Sequence, residues 1–122
     1  MNKKRILILE TKTAISNVLV SILKDEGYLC KVRNTTQELE NIIVQFRPCG
    51  ILICRRIPDL GVVKAIELIR SIPYGRQAAI LHITGTGSEH AEAMKAGANY
   101  TLYKPIDITK LLFTLENFTN LN

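Results

Sequence analysis

Short apolar runs alternate along the chain with stretches in which apolar residues recur every three or four positions. The apolar runs occupy residues 6–9, 51–53, 79–83 and 102–103. Short continuous apolar runs are typical of strands buried on both faces of a parallel sheet. In the stretches between them, the recurrence of apolar residues every three or four positions is typical of amphipathic crossover helices. The pattern predicts five strand–helix units.

The polarity of each run predicts its place in the sheet. Residues 28–33 alternate between polar and apolar side chains, as expected of an edge strand, whereas residues 51–53 are apolar on both faces and indicate a central strand. A doubly wound, parallel α/β fold of the flavodoxin-like type, with strand order 2-1-3-4-5, accommodates both.

The first two predicted helices each have one apolar side. The first ends at Gly27; the second begins at a capping box formed by Thr35 and Glu38 and is closed by Pro48. Their apolar positions are Ala14, Ile15, Val18, Leu19, Ile22 and Leu23 in the first helix and Leu39, Ile42, Ile43 and Phe46 in the second.

Three further helices are predicted in the second half of the chain. The third covers residues 62–72, the fourth is capped by Thr86 or Ser88 and ends at Gly97, and the last is capped by Asp107. The apolar positions of the last two are Ala91, Met94 and Ala96, then Ile108, Leu111, Leu112, Leu115 and Phe118.

Length and composition predict a single domain spanning residues 1–122. The chain is 47% apolar and 22% charged, which is ordinary for a globular domain and too short for two cores. No run approaches about 18 uninterrupted apolar residues, and the start lacks a signal-peptide pattern. We therefore expect a cytoplasmic protein that does not contact a membrane.

The net charge of +5 arises from sixteen basic and eleven acidic side chains and favours anionic partners. The basic residues are spread along the chain, and no basic ladder interleaved with aromatic residues is present. We therefore expect no direct binding of nucleic acid by this domain.

Cysteine and histidine side chains do not form a constellation typical of an enzyme. Cys30, Cys49 and Cys54 are an odd number without metal-ligand spacing, so we expect reduced thiols, with Cys30 and Cys49 as packing residues. His82 lies within a predicted strand and His90 on a small helix. We expect core and surface placements for these two histidines, respectively, and no catalytic role.

Polar residues follow several of the predicted strands. In an open parallel sheet these carboxyl ends meet in one crevice. The segments are Glu10-Thr11-Lys12, Cys54-Arg55-Arg56, residues 84–88 and Lys104-Pro105.

From Lys4 to about Phe118 the sequence resembles the receiver domain of bacterial two-component response regulators. Each matching stretch is short, and their order and spacing carry the resemblance. The stretches are residues 4–9, Glu26-Gly27-Tyr28, Ile57-Pro58, Ile69-Arg70, Ala96-Gly97-Ala98 and Lys104-Pro105.

The resemblance implies phosphoryl transfer to an aspartate at the end of the third strand. It also implies a divalent metal ion, held by that aspartate and by an acidic pair after the first strand. Cys54 stands at the acceptor position, and Thr11 replaces one residue of the acidic pair, which leaves only Glu10. We therefore expect no acyl phosphate, no functional magnesium site, no other cofactor and no enzymatic turnover.

Other parts of the family's pocket have counterparts in this sequence. Thr84 matches the hydroxyl residue that binds the phosphoryl oxygen, and Lys104 matches the lysine that pairs with it. Arg56 is assigned to the same degenerate pocket. The aromatic switch position maps to Thr101, so the family's aromatic rotation is not expected.

The resemblance favours a pseudo-receiver that signals by contact with other proteins. The expected partners are a histidine kinase or an output domain, or a second copy of the chain. In the family, contacts are made by the fourth helix, the fifth strand and the fifth helix. The corresponding residues here are Met94, Tyr100, Thr101, Tyr103 and Phe113.

Three alternatives remain open at this point. One is a conventional phosphorylated regulator that uses Thr11 or Glu10 as its acceptor, and another is a redox or phospho-cysteine switch at Cys54. The third is a sensor of an anion or nucleotide, aided by backbone N–H groups of the 84–88 loop. Its candidate ligands are Lys12, Arg55, Arg56, Thr84 and Lys104.

Overall fold

The computed structural model describes residues 3–54, 57 and 59–119. Its centre is a sheet of five parallel strands in the order β2-β1-β3-β4-β5, which confirms the predicted fold and strand order. The strands are β1 (Arg5–Leu9), β2 (Leu29–Arg33), β3 (Gly50–Cys54), β4 (Ala79–Thr84) and β5 (Tyr100–Tyr103).

Five α-helices cover the two faces of the sheet. They are α1 (Thr13–Asp25), α2 (Leu39–Phe46), α3 (Val62–Ser71), α4 (His90–Ala96) and α5 (Ile108–Thr119), with a 3-10 turn at Pro73–Gly75. Leu19 and Leu111 pack with Ile8 on one face, which α1 and α5 cover. The other face is covered by α2, α3 and α4. Strands alternate their side chains between these two apolar layers, and both layers are buried.

The parallel register brings the ends of neighbouring strands together. Cys54 pairs with Ile83 at the end of β3, and Thr84 pairs with Tyr103 at the end of β4. Glu10 directly follows β1, the neighbour of β3 on its other side. The residues after β1, β3, β4 and β5 therefore converge on one edge of the sheet.

The predicted capping box at the start of the second helix is wrong. Helix α2 begins at Leu39, and Glu38 before it takes a left-handed conformation with φ 56°. The reason is a contact that is distant in sequence: the Asp59 carboxylate accepts hydrogen bonds from the Thr36 hydroxyl at 2.7 Å and the Thr36 amide at 3.0 Å. Thr35 caps only a local turn, through the amide of Gln37.

The predicted caps of the last two helices have different outcomes. Asp107 accepts a hydrogen bond from the Lys110 amide at 3.1 Å and caps α5 as predicted. At α4 the prediction is wrong, because the helix begins at His90 without a side-chain cap. The hydroxyls of Thr86 and Ser88 contact each other instead, 2.9 Å apart.

The apolar side of α1 is only partly buried. Leu19 and Leu23 belong to the core, but Val18 is 57% exposed and Ala14 is also exposed. The apolar side of α1 is therefore divided between the core and the surface. Within the described residues, no helix combines the length and the apolar composition that a bilayer crossing requires.

Candidate functional site

The edge where the strands end holds a buried thiol beside a buried carboxylate. Cys54 is the last residue of β3 and is buried with the apolar layer under α1 and α5. Glu10 is also buried, and its Oε2 accepts a hydrogen bond from the Lys12 amide at 3.0 Å. Its Oε1 has no hydrogen-bond partner among the described residues.

These surroundings keep the Cys54 thiol protonated. Burial raises the pKa of the thiol, and the neighbouring Glu10 carboxylate raises it further. The positive charge of Lys104 lowers that pKa, but it is the smallest of the contributions. A protonated, buried thiol is a poor nucleophile, which disfavours the redox or phospho-cysteine alternative.

Lys104 follows β5 at the same edge. The Lys104–Pro105 peptide bond is cis, and the Lys104 amide donates to the carbonyl oxygen of Thr84 at 2.8 Å. This bond joins the ends of β4 and β5.

The hydroxyl of Thr84 is bonded within its own loop. It donates to the carbonyl oxygen of Thr86 at 2.8 Å, and the Thr86 amide donates back to the hydroxyl oxygen at 3.2 Å. Thr84 is buried. The predicted phosphoryl-binding hydroxyl is therefore engaged with the following turn.

The other predicted members of the pocket are Thr11, Lys12, Arg55 and Arg56. Thr11 and Lys12 are exposed, and Arg55 and Arg56 lie outside the described residues. A depression of about 320 Å³ opens beside Glu10, between the start of α1 and the end of β2. Its lining includes Glu10, Thr11, Ser16, Asn17 and Arg33. The described lining does not include Lys12, Thr84 or Lys104.

The predicted interaction face is exposed in part. Phe113 is 64% exposed, Tyr103 is 49% exposed and Met94 is 37% exposed. Tyr100 is half-buried against the ring of Phe118, with 6.2 Å between centroids. Thr101 is buried beneath α4, so it does not contribute to the exposed face.

An apolar groove was missed by the analysis of the sequence. It has a volume of about 460 Å³ and lies between α1 and the segment that leads into α5. Its lining includes Ala14, Val18, Pro105, Ile106 and Ile108. The helical spacing of α1 signals an apolar side, but it does not distinguish a buried stripe from an exposed groove.

A second feature missed from the sequence links the two histidines. His82 is fully buried in β4 and pairs in register with Thr101 on β5. The Thr101 hydroxyl lies 2.9 Å from Nδ1 of His90, the first residue of α4. The two imidazoles, eight residues apart in sequence, thus flank the same threonine.

Both the sequence and the fold match those of known proteins. The sequence model of the family described as "Response regulator receiver domain" matches residues 6–116. The chain belongs to this family. It is therefore a receiver domain of two-component signalling, with the five-stranded fold described above.

Among curated proteins, this receiver domain is 31% identical over 123 residues to the response regulator NtrX-like protein of Rickettsia typhi (strain ATCC VR-144 / Wilmington). The alignment covers 95% of this chain and 25% of that protein. The receiver domain thus spans about a quarter of the length of this relative.

Solved structures of other receiver domains have the same fold. The beryllofluoride-activated NtrC4 receiver domain dimer is 28% identical, with a TM-score of 0.84 and coverage of 94% of this chain and 95% of that one. The receiver domain of the sensor histidine kinase PA1611 from Pseudomonas aeruginosa PAO1, solved with a magnesium ion in its active-site cleft, is 23% identical. Its TM-score is 0.87, and the match covers 97% of this chain and 98% of that one.

Proposed function

We propose that this chain is a pseudo-receiver, which transmits signals through protein contacts and is not phosphorylated at the usual position. The observation that carries the proposal is Cys54 at the end of β3, where the family places its acceptor aspartate. A thiol has no carboxylate oxygen with which to form an acyl phosphate. Its raised pKa also removes the thiolate that would act as a nucleophile in its place.

The donor groups at this edge do not fit a magnesium ion. Magnesium prefers six oxygen ligands in octahedral geometry. Glu10 offers one carboxylate, of which Oε2 already accepts the Lys12 amide, and Cys54 offers a protonated sulfur. Among the described residues, no three His, Cys, Asp or Glu side chains are grouped as metal ligands would be. These features support a domain without the family's metal and without enzymatic turnover.

Contact with other proteins is the remaining means of signalling. Met94, Tyr103 and Phe113 expose apolar surface on α4, β5 and α5. Exposed apolar groups of this kind favour association with another protein surface. We assign this face, called the output face below, to a signalling partner such as a histidine kinase or an output domain, or to a second copy of the chain. The dimeric NtrC4 receiver domain supports the last possibility.

A thermal-shift experiment tests the proposal with a restored pocket as its control. The chain and the variant Thr11→Asp/Cys54→Asp are heated with and without magnesium plus beryllofluoride at matched ionic strength. We expect no shift for the native sequence and a saturable rise in melting temperature for the variant, because only the variant has three carboxylates at this edge. A saturable rise for the native sequence contradicts the proposal.

The same assay separates the runner-up function, a sensor of anions or nucleotides. The observation in its favour is Lys104, whose positive charge acts at the buried edge beside Cys54. Inorganic phosphate and a panel of nucleotides are added to the native chain at constant ionic strength. A saturable shift with one of them supports a ligand sensor, whereas a pseudo-receiver that acts by protein contact gives none.

A further inference from the structure

His82 is a buried titratable residue for which the proposed function has no use. It lies in β4 between Ile53 on β3 and Thr101 on β5, and its side chain has no exposed surface. Neither ring nitrogen has a hydrogen-bond partner among the described residues. The neutral ring therefore already leaves a donor and an acceptor unsatisfied, and a protonated ring would add a buried charge.

Helix α4 packs against β5, the strand beside His82, and against α3. It has seven residues, of which only Ala93 is buried. Its first residue, His90, is tied to β5 by the contact between Nδ1 and the Thr101 hydroxyl at 2.9 Å. The His90 ring also lies beside the Tyr103 ring, with centroids 6.4 Å apart. Helix α4 is thus joined both to the strand beside His82 and to an aromatic residue of the output face.

No described side chain is placed to neutralise a charge on His82. Its neighbours in the sheet, Ile53 and Thr101, are uncharged. The titratable groups on the elements that cover this face are Glu38, Glu40 and Arg47 at α2, Lys64, Glu67 and Arg70 of α3, and Glu89, His90, Glu92 and Lys95 at α4. Burial is the main cause of the lowered pKa of His82, and His90 is the one charged partner among the described residues that contributes, by opposing protonation of His82.

We propose that uptake of a proton by His82 releases α4 from the sheet and thereby alters the output face. The site is a pH-sensitive switch made of His82, Thr101 and His90, and it acts from within the fold without phosphoryl transfer. This inference rests on the proposed function in one respect, namely that the face carrying Met94 and Tyr103 contacts a partner. The opening of α4 itself does not depend on that assignment.

The direction of the pH effect follows from the two states of His82. Burial lowers the pKa of His82 in the closed state, and the charge of His90 lowers it further. An exposed histidine has a pKa of about 6.5. The closed state is therefore fully favoured above pH 6.5. Below that value, each further unit of acidity raises the open population about tenfold, until the closed-state pKa is reached.

Hydrogen exchange of the whole 122-residue chain tests the switch. Exchange is followed by mass spectrometry at pH 7.5 and pH 5.5 and corrected for intrinsic rates. We expect residues 85–99 to exchange faster at pH 5.5, by a factor of up to about ten, because this value lies about one unit below the pKa of the open-state histidine. Strands β1 and β3 keep their protection. An equal rise over β1 and β3 indicates global unfolding and overturns the proposal.

Variants at the two histidines provide matched controls. His82→Leu removes the titrating group and both unsatisfied nitrogens, so the dependence of α4 exchange on pH should disappear. His90→Gln removes the ring that contacts the Thr101 hydroxyl, so α4 should exchange faster at both pH values, while the dependence on pH, which requires His82, remains. An unchanged response in His82→Leu contradicts the inference.

A measurement on the native chain avoids any dependence on how the variants fold. The sequence contains two histidines, so their ring protons can be followed by NMR during a pH titration. We expect the His82 resonance to titrate together with the α4 amides. Titration of His82 with no change at α4 overturns the switch. Because no partner or phosphodonor is added, neither result bears on the pseudo-receiver assignment.

Discussion

The guanidinium group of Arg70 on α3 donates two hydrogen bonds to the carbonyl oxygen of Gly97, from Nε at 2.9 Å and from Nη2 at 2.6 Å. Gly97 has φ 129°, and a Cβ atom there would lie 2.8 Å from the Cγ of Arg70. The glycine is therefore required by both backbone conformation and space. Further acceptors of Arg70 are Gly75, Arg76, Ala78 and Asn99.

Replacing Arg70 should destabilise the fold more than its partial exposure suggests. Arg70→Lys keeps the charge but loses the planar set of donors, which leaves several carbonyl oxygens without their partner. We expect a loss of about 2–4 kcal/mol in the free energy of unfolding. Urea denaturation measures it. Lys64→Met, at an exposed position of α3, is the control and should change stability by no more than about 0.5 kcal/mol. Equal losses of unfolding free energy in the two variants would show that the hydrogen bonds of Arg70 do not stabilise the fold.

The thiol at the end of β3 should react slowly. Because burial and Glu10 raise the pKa of Cys54, iodoacetamide at pH 8 should label Cys54 far more slowly than a model thiol. Glu10→Gln removes the neighbouring negative charge and should accelerate the reaction at Cys54. Mass spectrometry of digested samples gives the rate at each cysteine. Cys30, whose pKa burial raises to about 11, is an internal reference for a slowed thiol. Rapid labelling of Cys54 in the native chain would rule out this environment.

The contact of Asp59 with Thr36 should make stability depend on pH in acid. The hydrogen bond from the Thr36 hydroxyl lowers the pKa of Asp59. A lowered folded pKa stabilises the fold above the ordinary aspartate value of about 3.9, and this stabilisation is lost as pH falls through the folded pKa. We expect Asp59→Ala to lower the urea midpoint at pH 7 and to differ less from the native chain at pH 3.

A double-mutant cycle with Thr36→Val isolates this contact. The two substitutions should be less than additive at pH 7, because each removes the same hydrogen bonds. If the losses of unfolding free energy are fully additive, and the effect of Asp59→Ala is the same at pH 7 and pH 3, Asp59 does not stabilise the fold through Thr36.

The exposed aromatic ring on α5 should matter for association and not for folding. Phe113→Ser removes apolar surface that is 64% exposed, so the free energy of unfolding should change by no more than about 0.5 kcal/mol. Self-association, measured by sedimentation, should weaken. Glu116→Ser, exposed on the same helix, is the control. A chain that is monomeric both with and without Phe113 would remove the second copy from the proposed partners.

Much of the fold is predictable from the sequence because it depends on local pattern. The runs at residues 6–9 and 51–53 are apolar on both faces, and this property alone places them at the centre of a parallel sheet. The edge position of β2 follows from its alternation in the same way. The Asp107 cap of α5 is also local, since donor and acceptor lie three residues apart.

The errors arise where a distant contact overrides a local preference. Thr35 and Glu38 have the capping-box spacing, but Asp59 binds Thr36 from 23 residues away and holds the segment outside the helix. The groove beside α1 is a separate case. The helical spacing of Val18 with Leu19 predicts an apolar side of the helix, but that spacing does not show whether the side is buried or lines a groove.

The candidate site is predictable only in part for the same reason. The replacement at Cys54 is visible in the sequence, and so is the survival of Glu10 and Lys104. The relation of His82 to His90 is not, because it passes through Thr101, which reaches β4 only through the register of the sheet.

The bond between the Thr84 hydroxyl and the Thr86 carbonyl oxygen bears on whether the lost chemistry can be regained. An aspartate at position 54 would supply a carboxylate, but an incoming phosphoryl oxygen would have to displace Thr86 from that hydroxyl. Exchange of one hydrogen bond for another yields little net free energy, about 1 kcal/mol or less. An aspartate at position 54 would thus leave the Thr84 hydroxyl engaged by its own loop, so the acceptor and the loop that would respond to it would have to be changed separately.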